Sequence, residues 1–106
     1  MATTSELKRE YRRILTYSRL GALSYMYYYD KDGILYQELK SVLVLKDSTL
    51  APQLRWLKEK GYAKANDEDL DSGKIVVYYI TDEGRRAYRE VLNWLDHLPT
   101  LDAAKE

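Results

Sequence analysis

The stretch from Asp47 to Gly61, DSTLAPQLRWLKEKG, combines an apolar stripe with groups that suit contact with a polyanion. Its leucines, at positions 50, 54 and 57, recur at i, i+4 and i+7, so on a helical period they share one side and point into a core. Small polar, cationic and planar groups fall roughly opposite. They belong to Ser48, Thr49, Pro52, Arg55 and Trp56. Such a helix can lie in a groove, so we expect function on this polar face.

Other chemistry finds little support in the sequence. The chain lacks cysteine, which removes disulfide frameworks, thiolate zinc sites and cysteine nucleophiles. His97 is a lone histidine, and we find no phosphate loop, nucleophile elbow or cofactor fingerprint. Asp67, Asp69 and Asp71 imitate the first ligands of a calcium loop. Tyr78 stands where that loop needs a bidentate acid, which favours a solvated hairpin tip. We expect no enzyme, no metal site and no cofactor.

Length and charge limit the possible partners. The 106 residues fit one domain with a modest core. The sequence has no apolar run long enough for a membrane span and no secretory signal, so we expect a cytoplasmic protein without membrane contact. The 17 basic and 17 acidic residues balance, so nucleic-acid binding would require segregated charge. Cations do cluster at residues 8–13, 55–60 and 85–89, whereas acids gather at residues 67–71.

A helical region over residues 1–29 precedes the stretch. Thr3 and Glu6 have the form of a capping box. Thr16, Ser18 and Gly21 are poor residues for a helix interior, so we predict a kink or break near Thr16 to Ser18. An amphipathic arm of this kind docks on a second subunit or on the C-terminal helix, which favours a homodimer.

Two short helices with a tight connection follow this region. Residues 34–36 are long enough only for an edge strand, and residues 36–43 predict a helix with Leu39, Val42 and Leu43 inward. Pro52 is tolerated in the first turn of a helix, so we place the N-cap of the next helix at Thr49. Two helices joined by about four residues form a helix-turn-helix arrangement.

A hairpin and a last helix complete the pattern. Gly61 ends the second helix, and strands at residues 62–66 and 74–80 flank a turn-rich segment. Thr81 caps a helix over residues 81–98, with Asp82 and Glu83 in its favourable first turn. Its apolar stripe comprises Tyr88, Val91, Leu92, Leu95 and Leu98.

Four segments carry a family resemblance. They read RLGAL at residues 19–23, YQELK at 36–40, STLAPQLRWLKEKGY at 48–62 and YITDEGR at 79–85. The most specific parts are the pattern L-x-x-L-x-x-x-G-Y at 54–62 and I-T-x-x-G-R at 80–85. In this order they resemble the MarR/ArsR-type winged helix-turn-helix transcriptional regulators of bacteria and archaea, over about residues 18–98. The resemblance implies a mainly α fold with a small β-hairpin wing (α+β), in which extra N- and C-terminal helices form a dimer.

The resemblance also implies a function and its residues. We expect a transcriptional regulator that binds double-stranded DNA sequence-specifically. It is expected to act as a homodimer associated with the nucleoid, with the helix at about 48–60 in the major groove. The positions that match DNA-binding positions are Lys46, Ser48, Thr49, Pro52, Gln53 and Arg55, with Lys64 and Lys74 on the shoulders of the wing. Trp56 is expected to support the helix from beneath the wing. The expected dimer contacts are Leu7, Tyr11, Ile14, Leu15, Val91, Leu95 and Leu98.

The sequence is also compatible with other interpretations. The acids at residues 67–71 repel phosphate at close range, which also suits a protein-interaction winged helix of the transcription machinery with a basic partner. The tyrosines at residues 25–29 could line an effector pocket of a small-molecule-responsive regulator, although core packing is their commoner use. The cations at residues 8–13 suit either a DNA backbone or a solvated helix face.

Overall fold

The computed structural model describes residues 9–29, 32–70 and 73–97. Residues 9–12 are helical. The elements that follow are α1 (Tyr17–Tyr29), β1 (Ile34–Leu35), α2 (Tyr36–Leu43), α3 (Asp47–Glu59), β2 (Ala63–Leu70), β3 (Gly73–Ile80) and α4 (Asp82–Asp96). The mainly α fold with a small β-hairpin is confirmed. Among the described residues, no helix has the length and apolarity needed to cross a membrane.

The N-terminal helical region is broken, as its residues predict. Residues 13–15 form a tighter turn, in which each backbone N–H donates to the carbonyl three residues earlier, at 3.0 to 3.1 Å. The helix α1 restarts at Tyr17. Thr16 caps it, because its hydroxyl oxygen accepts a hydrogen bond of 3.2 Å from the backbone N–H of Arg19.

The helix α2 has the predicted bounds, but the prediction that Val42 points into the core is wrong. Leu39 and Leu43 are buried, and an added Cβ on Gly21 of α1 would lie only 2.8 Å from the Leu43 side chain. Val42 is 48% exposed rather than inward. It lies about 100° around the helix from Leu43, outside the stripe that faces α1.

The helix α3 begins earlier than predicted. Its N-cap is Lys46 rather than Thr49, which places Pro52 inside the helix and not in the first turn. The backbone N–H groups of Thr49 and Leu50 both donate to the Lys46 carbonyl, at 3.0 and 2.9 Å. Proline removes one intrahelical donor, but Leu50 in the first turn is fully buried, which holds this early start against the core. The predicted burial of Leu50, Leu54 and Leu57 is confirmed.

The three strands form one antiparallel sheet in the order β1-β3-β2. β1 pairs with β3 only at Ile34↔Tyr78 and Leu35↔Val77, so the predicted edge strand is confirmed. The hairpin is longer than predicted, because its register runs from Ala63↔Ile80 to Leu70↔Gly73. The acids at residues 67–69 therefore belong to β2 and pair with residues 74–76. Val76 and Ile75, opposite Asp67 and Glu68, are strong strand formers, which extends the ladder.

The start of α4 is joined to the end of α3. Gly61 has a φ of 80°, which lets the chain reverse into β2. The Thr81 hydroxyl donates to the Gly61 carbonyl at 2.6 Å and accepts from the Gly84 N–H at 2.9 Å, which confirms the predicted cap. The close fit continues at Gly84, where an added Cβ would lie 2.1 Å from the Tyr62 carbonyl oxygen. The last helix is thereby held against the exit of α3.

Candidate nucleic-acid interface

The exposed side of α3 carries most of the predicted DNA-binding residues. Its leucine stripe is at most 1% exposed, which orients the opposite side of the helix toward solvent. The structure therefore brings small hydroxyls and cations together on one rigid surface. On α3 and at its N-cap, the predicted residues that are exposed are Lys46, Ser48, Thr49, Pro52 and Arg55.

The N-terminal end of α3 is suited to bind an anion. Lys46 makes no side-chain hydrogen bond to cap the helix. Asp47 is acidic, but its carboxylate accepts from the Tyr36 hydroxyl at 2.8 Å and from the Lys40 ammonium at 3.2 Å. These two partners on α2 hold the pKa of the Asp47 carboxyl below its usual range. With that charge engaged by α2, the positive end of the helix and the side chains of Lys46 and Ser48 suit a phosphate.

Gln53 has a partner that the sequence did not reveal. The side chain is partly buried, and its amide oxygen accepts a hydrogen bond of 2.6 Å from Arg19 Nε. Arg19 also donates through a terminal nitrogen to the Arg13 carbonyl, at 2.6 Å. Burial, followed by the charge of Arg13, lowers the pKa of the Arg19 guanidinium, which stays protonated. Arg19 belongs to one of the segments that carry the family resemblance, but its partner lies 34 residues away.

Trp56 is a supporting residue, as expected, although it packs at the base of the hairpin and beside the N-terminal turn. The guanidinium carbon of Arg19 lies 3.9 Å from the centre of the indole ring. The side chains of Arg13 and Lys60 approach the same ring at 5.7 and 6.0 Å, and the Tyr62 ring lies 6.0 Å away. A stacked guanidinium of this kind is attracted by the negative face of the ring.

The wing presents mixed charge beside α3. Lys64 is exposed, with its ammonium 5.6 Å from the Tyr79 ring. The Tyr79 hydroxyl donates to the Glu68 carboxylate at 3.0 Å, so one acid is engaged across the strands. Lys74 pairs with Asp69 in the backbone register, but its side chain lies outside what the structure describes.

The residues predicted for a dimer separate into three groups. The structure places Tyr11, Ile14 and Val91 in the core of a single chain, at 9%, 0% and 1% exposure. Burial within one chain gives these three side chains a role that needs no second subunit. Leu15 and Leu95 are only partly buried. The other two, Leu7 and Leu98, lie outside the described residues.

The tyrosines of α1 largely pack with one another and with α4. The Tyr27 ring lies 4.7 Å from the Tyr88 ring, and Tyr28 approaches the same ring at 6.1 Å. The Tyr88 hydroxyl is 2.8 Å from the Ser24 hydroxyl. A shallow groove of about 280 Å³ between the two helices is lined by Tyr17, Leu20, Gly21, Ser24, Tyr88 and Leu92.

The chain is similar in sequence to a known transcriptional regulator. SarU, an HTH-type transcriptional regulator of Staphylococcus aureus, is 28% identical over 95 residues, which are 90% of this chain and 37% of SarU. The chain thus spans little more than a third of the length of that relative.

Solved structures share the fold. A MarR-family transcriptional regulator from Silicibacter pomeroyi matches with a TM-score of 0.63 and 26% identity, over 82% of this chain and 57% of that one. The MepR–DNA complex of Staphylococcus aureus matches with a TM-score of 0.68 and 18% identity, over 95% and 79% of the two chains. The predicted resemblance to MarR-type regulators is confirmed.

The family assignment follows from most of the chain. A family model described as a winged helix DNA-binding domain matches residues 18–98, from the second residue of α1 to just beyond α4. That range contains the helix pair, the hairpin and the start of the last helix that together position α3. The chain belongs to the family of winged helix DNA-binding domains.

Proposed function

We propose that the protein is a sequence-specific regulator of transcription that binds double-stranded DNA as a homodimer, in the cytoplasm and at the nucleoid, with α3 in the major groove. The observation that carries this proposal is the exposed polar face of α3, which its three buried leucines hold in one orientation. A helix of this diameter fits the major groove, where base edges are distinguishable.

The contacts divide into positioning and reading. Lys46, Ser48 and Thr49 surround the start of α3 and contact phosphate oxygens, which set the position of the helix on the duplex. Gln53 and Arg55 lie further along and reach base edges. Pro52 offers an apolar surface to a thymine methyl group. On the wing, Lys64 and Lys74 approach the adjacent backbone.

The homodimer is formed by the terminal helices. Leu15 and Leu95 retain exposed surface after the single chain has folded. Tyr17 and Tyr28 of α1 are 66% and 62% exposed, so their rings leave apolar surface that a second subunit can cover. A symmetric pair would cover these groups and present two copies of α3 to one face of the DNA.

A salt-controlled gel shift against fragments of the source genome tests the proposal. The Arg55→Ala variant is expected to lose about 1–3 kcal/mol of binding free energy on selected fragments, because it removes a base contact. Arg89→Ala, which removes an equal charge from the exposed side of α4, is the matched control. It should bind within about twofold of the wild type. Absence of a salt-sensitive complex at every tested concentration would reject the regulator proposal.

One observation favours a second function, a protein-interaction module of the transcription machinery. Asp67 and Glu68 are exposed along β2, and the net charge of the chain is zero. A basic partner protein would be complementary to that strand. Charge reversal at Asp67 and Glu68 separates the two functions, because it should strengthen DNA binding and weaken binding to such a partner.

A further inference from the structure

We infer that Arg19 fixes the Gln53 side chain as a hydrogen-bond donor toward DNA. Arg19 thereby determines which base is selected at the DNA position that Gln53 of α3 contacts. This inference rests on the proposed function. The starting observation is the 2.6 Å hydrogen bond from Arg19 Nε to the Gln53 amide oxygen. A guanidinium group has donors and no acceptor, so the atom that faces it must be the amide oxygen and not the amide nitrogen.

Arg19 is itself held in place by several contacts. Its guanidinium stacks on Trp56 at 3.9 Å, and its terminal nitrogen donates to the Arg13 carbonyl at 2.6 Å. Its backbone N–H is bound by the Thr16 hydroxyl at the start of α1. A planar group that is stacked on one face and bonded at two edges has little freedom to turn away. The side chain of Gln53 is therefore oriented by a fixed partner before DNA arrives.

This orientation changes what glutamine can recognise. A free glutamine pairs with adenine by donating to N7 and accepting from the N6 amino group. In this protein one of the two lone pairs of that oxygen is engaged in a charge-assisted bond, and an adenine amino group that approached the other would lie beside a guanidinium that is also a donor, which disfavours the adenine pair. The Gln53 NH₂ group remains, and it needs an acceptor. Guanine presents N7 and O6 side by side in the major groove, so we assign guanine to the Gln53 position in preference to adenine.

Selection of bound duplexes from a randomised library tests this assignment. The wild type should prefer guanine over adenine at one position of each half-site by on the order of tenfold. Gln53→Ala should lose preference at that position alone. Arg19→Ala frees the amide to turn, so adenine should be admitted there and the guanine-to-adenine ratio should fall at least about fivefold. Arg12→Ala is the matched control, because it removes an equal charge from the helical turn that precedes α1. The Arg12 side chain approaches Trp94 and not Trp56, so this variant should leave the base preference unchanged.

A second variant protects the test against a folding defect in Arg19→Ala. Gln53→Glu keeps an acceptor for Arg19 but removes every donor, so the preference should change from guanine to cytosine, whose amino group donates. An adenine preference in the wild type, or an Arg19→Ala profile equal to that of Arg12→Ala, would overturn the role of Arg19 while DNA binding itself persists. Failure of the wild type to select any duplex would instead overturn the proposed function, and this inference with it.

Discussion

Val44 occupies a backbone conformation that its side chain disfavours. Its φ and ψ are 54° and 55°, in the left-handed region, and its side chain is 85% exposed. A β-branched residue there is strained, at a cost of about 1–3 kcal/mol. The conformation is retained because the Val44 N–H closes α2 by donating to the carbonyls of Lys40 and Ser41. The turn between α2 and α3 is thereby kept short, which determines where α3 begins.

Replacement of Val44 by glycine should therefore stabilise the protein by about 1 kcal/mol, because glycine adopts a positive φ without steric cost. Urea unfolding followed by circular dichroism measures the change. Val42→Gly is the matched control, since it makes the same substitution at an exposed position inside α2 and should destabilise by a few tenths of a kcal/mol. A Val44→Gly variant that is less stable than the wild type would show that the turn is not strained.

At the scale of elements, a polar contact links α2 to the start of α3. Asp47 is bound by both Tyr36 and Lys40, so the two helices of the helix-turn-helix share one polar network. Because the N-cap residue Lys46 makes no side-chain capping bond, this network is a polar tie between the first turn of α3 and α2. Pro52 lies further along α3, between Leu50 and Leu54, whose burial in the core holds that part of the helix.

This link gives a pH dependence of stability. The pKa of the Asp47 carboxyl is lowered in the folded state, so its contribution is present above about pH 4 and is lost as pH falls through the folded pKa. Asp47→Asn keeps an acceptor for Tyr36 but carries no charge. The wild type should be the more stable of the two at about pH 6, and the difference should shrink as the pH is lowered below about 4. Thermal unfolding across this range measures it; a constant difference would contradict the ionic contribution.

Local patterns predicted the elements but not the contacts between them. Leu39 and Leu43 recur at helical spacing, so α2 was predictable to the residue. The start of α3 was not, because burial of Leu50 in the first turn is a tertiary contact that the local preference of Pro52 for a first-turn position does not reveal. The hydrogen bond between Arg19 and Gln53 joins residues 34 positions apart, and no periodicity carries such information. For the same reason, the exposed face of α3 was predictable, whereas the orientation of its Gln53 side chain was not.

At the scale of the whole molecule, the N-terminal segment packs on its own chain. The Tyr11 hydroxyl donates to Glu83 in the first turn of α4 at 3.3 Å, and the Lys60 ammonium lies 3.0 Å from the Glu10 carboxylate. The arm thus joins the end of α3 to the start of α4. A dimer then depends on residues that remain partly exposed after the arm has packed, such as Leu95. The distance between the two α3 helices is set by that dimer contact.

The distance between the two half-sites of the operator tests how far apart a dimer holds its two α3 helices. Two half-sites should lie about one helical turn apart, near 34 Å, because a symmetric dimer presents both α3 helices to one face of DNA. Insertion of about 5 base pairs between the half-sites turns one of them to the opposite face, so affinity should fall to that of a single half-site. Leu95→Lys, which places a charge in the proposed dimer contact, should bind both operators equally and at that lower level. Val76→Lys, a similar change at a partly exposed residue of β3, should keep the preference for the original spacing. Fluorescence anisotropy with the two duplexes measures these affinities; equal binding of both by the wild type would show that each chain binds DNA alone.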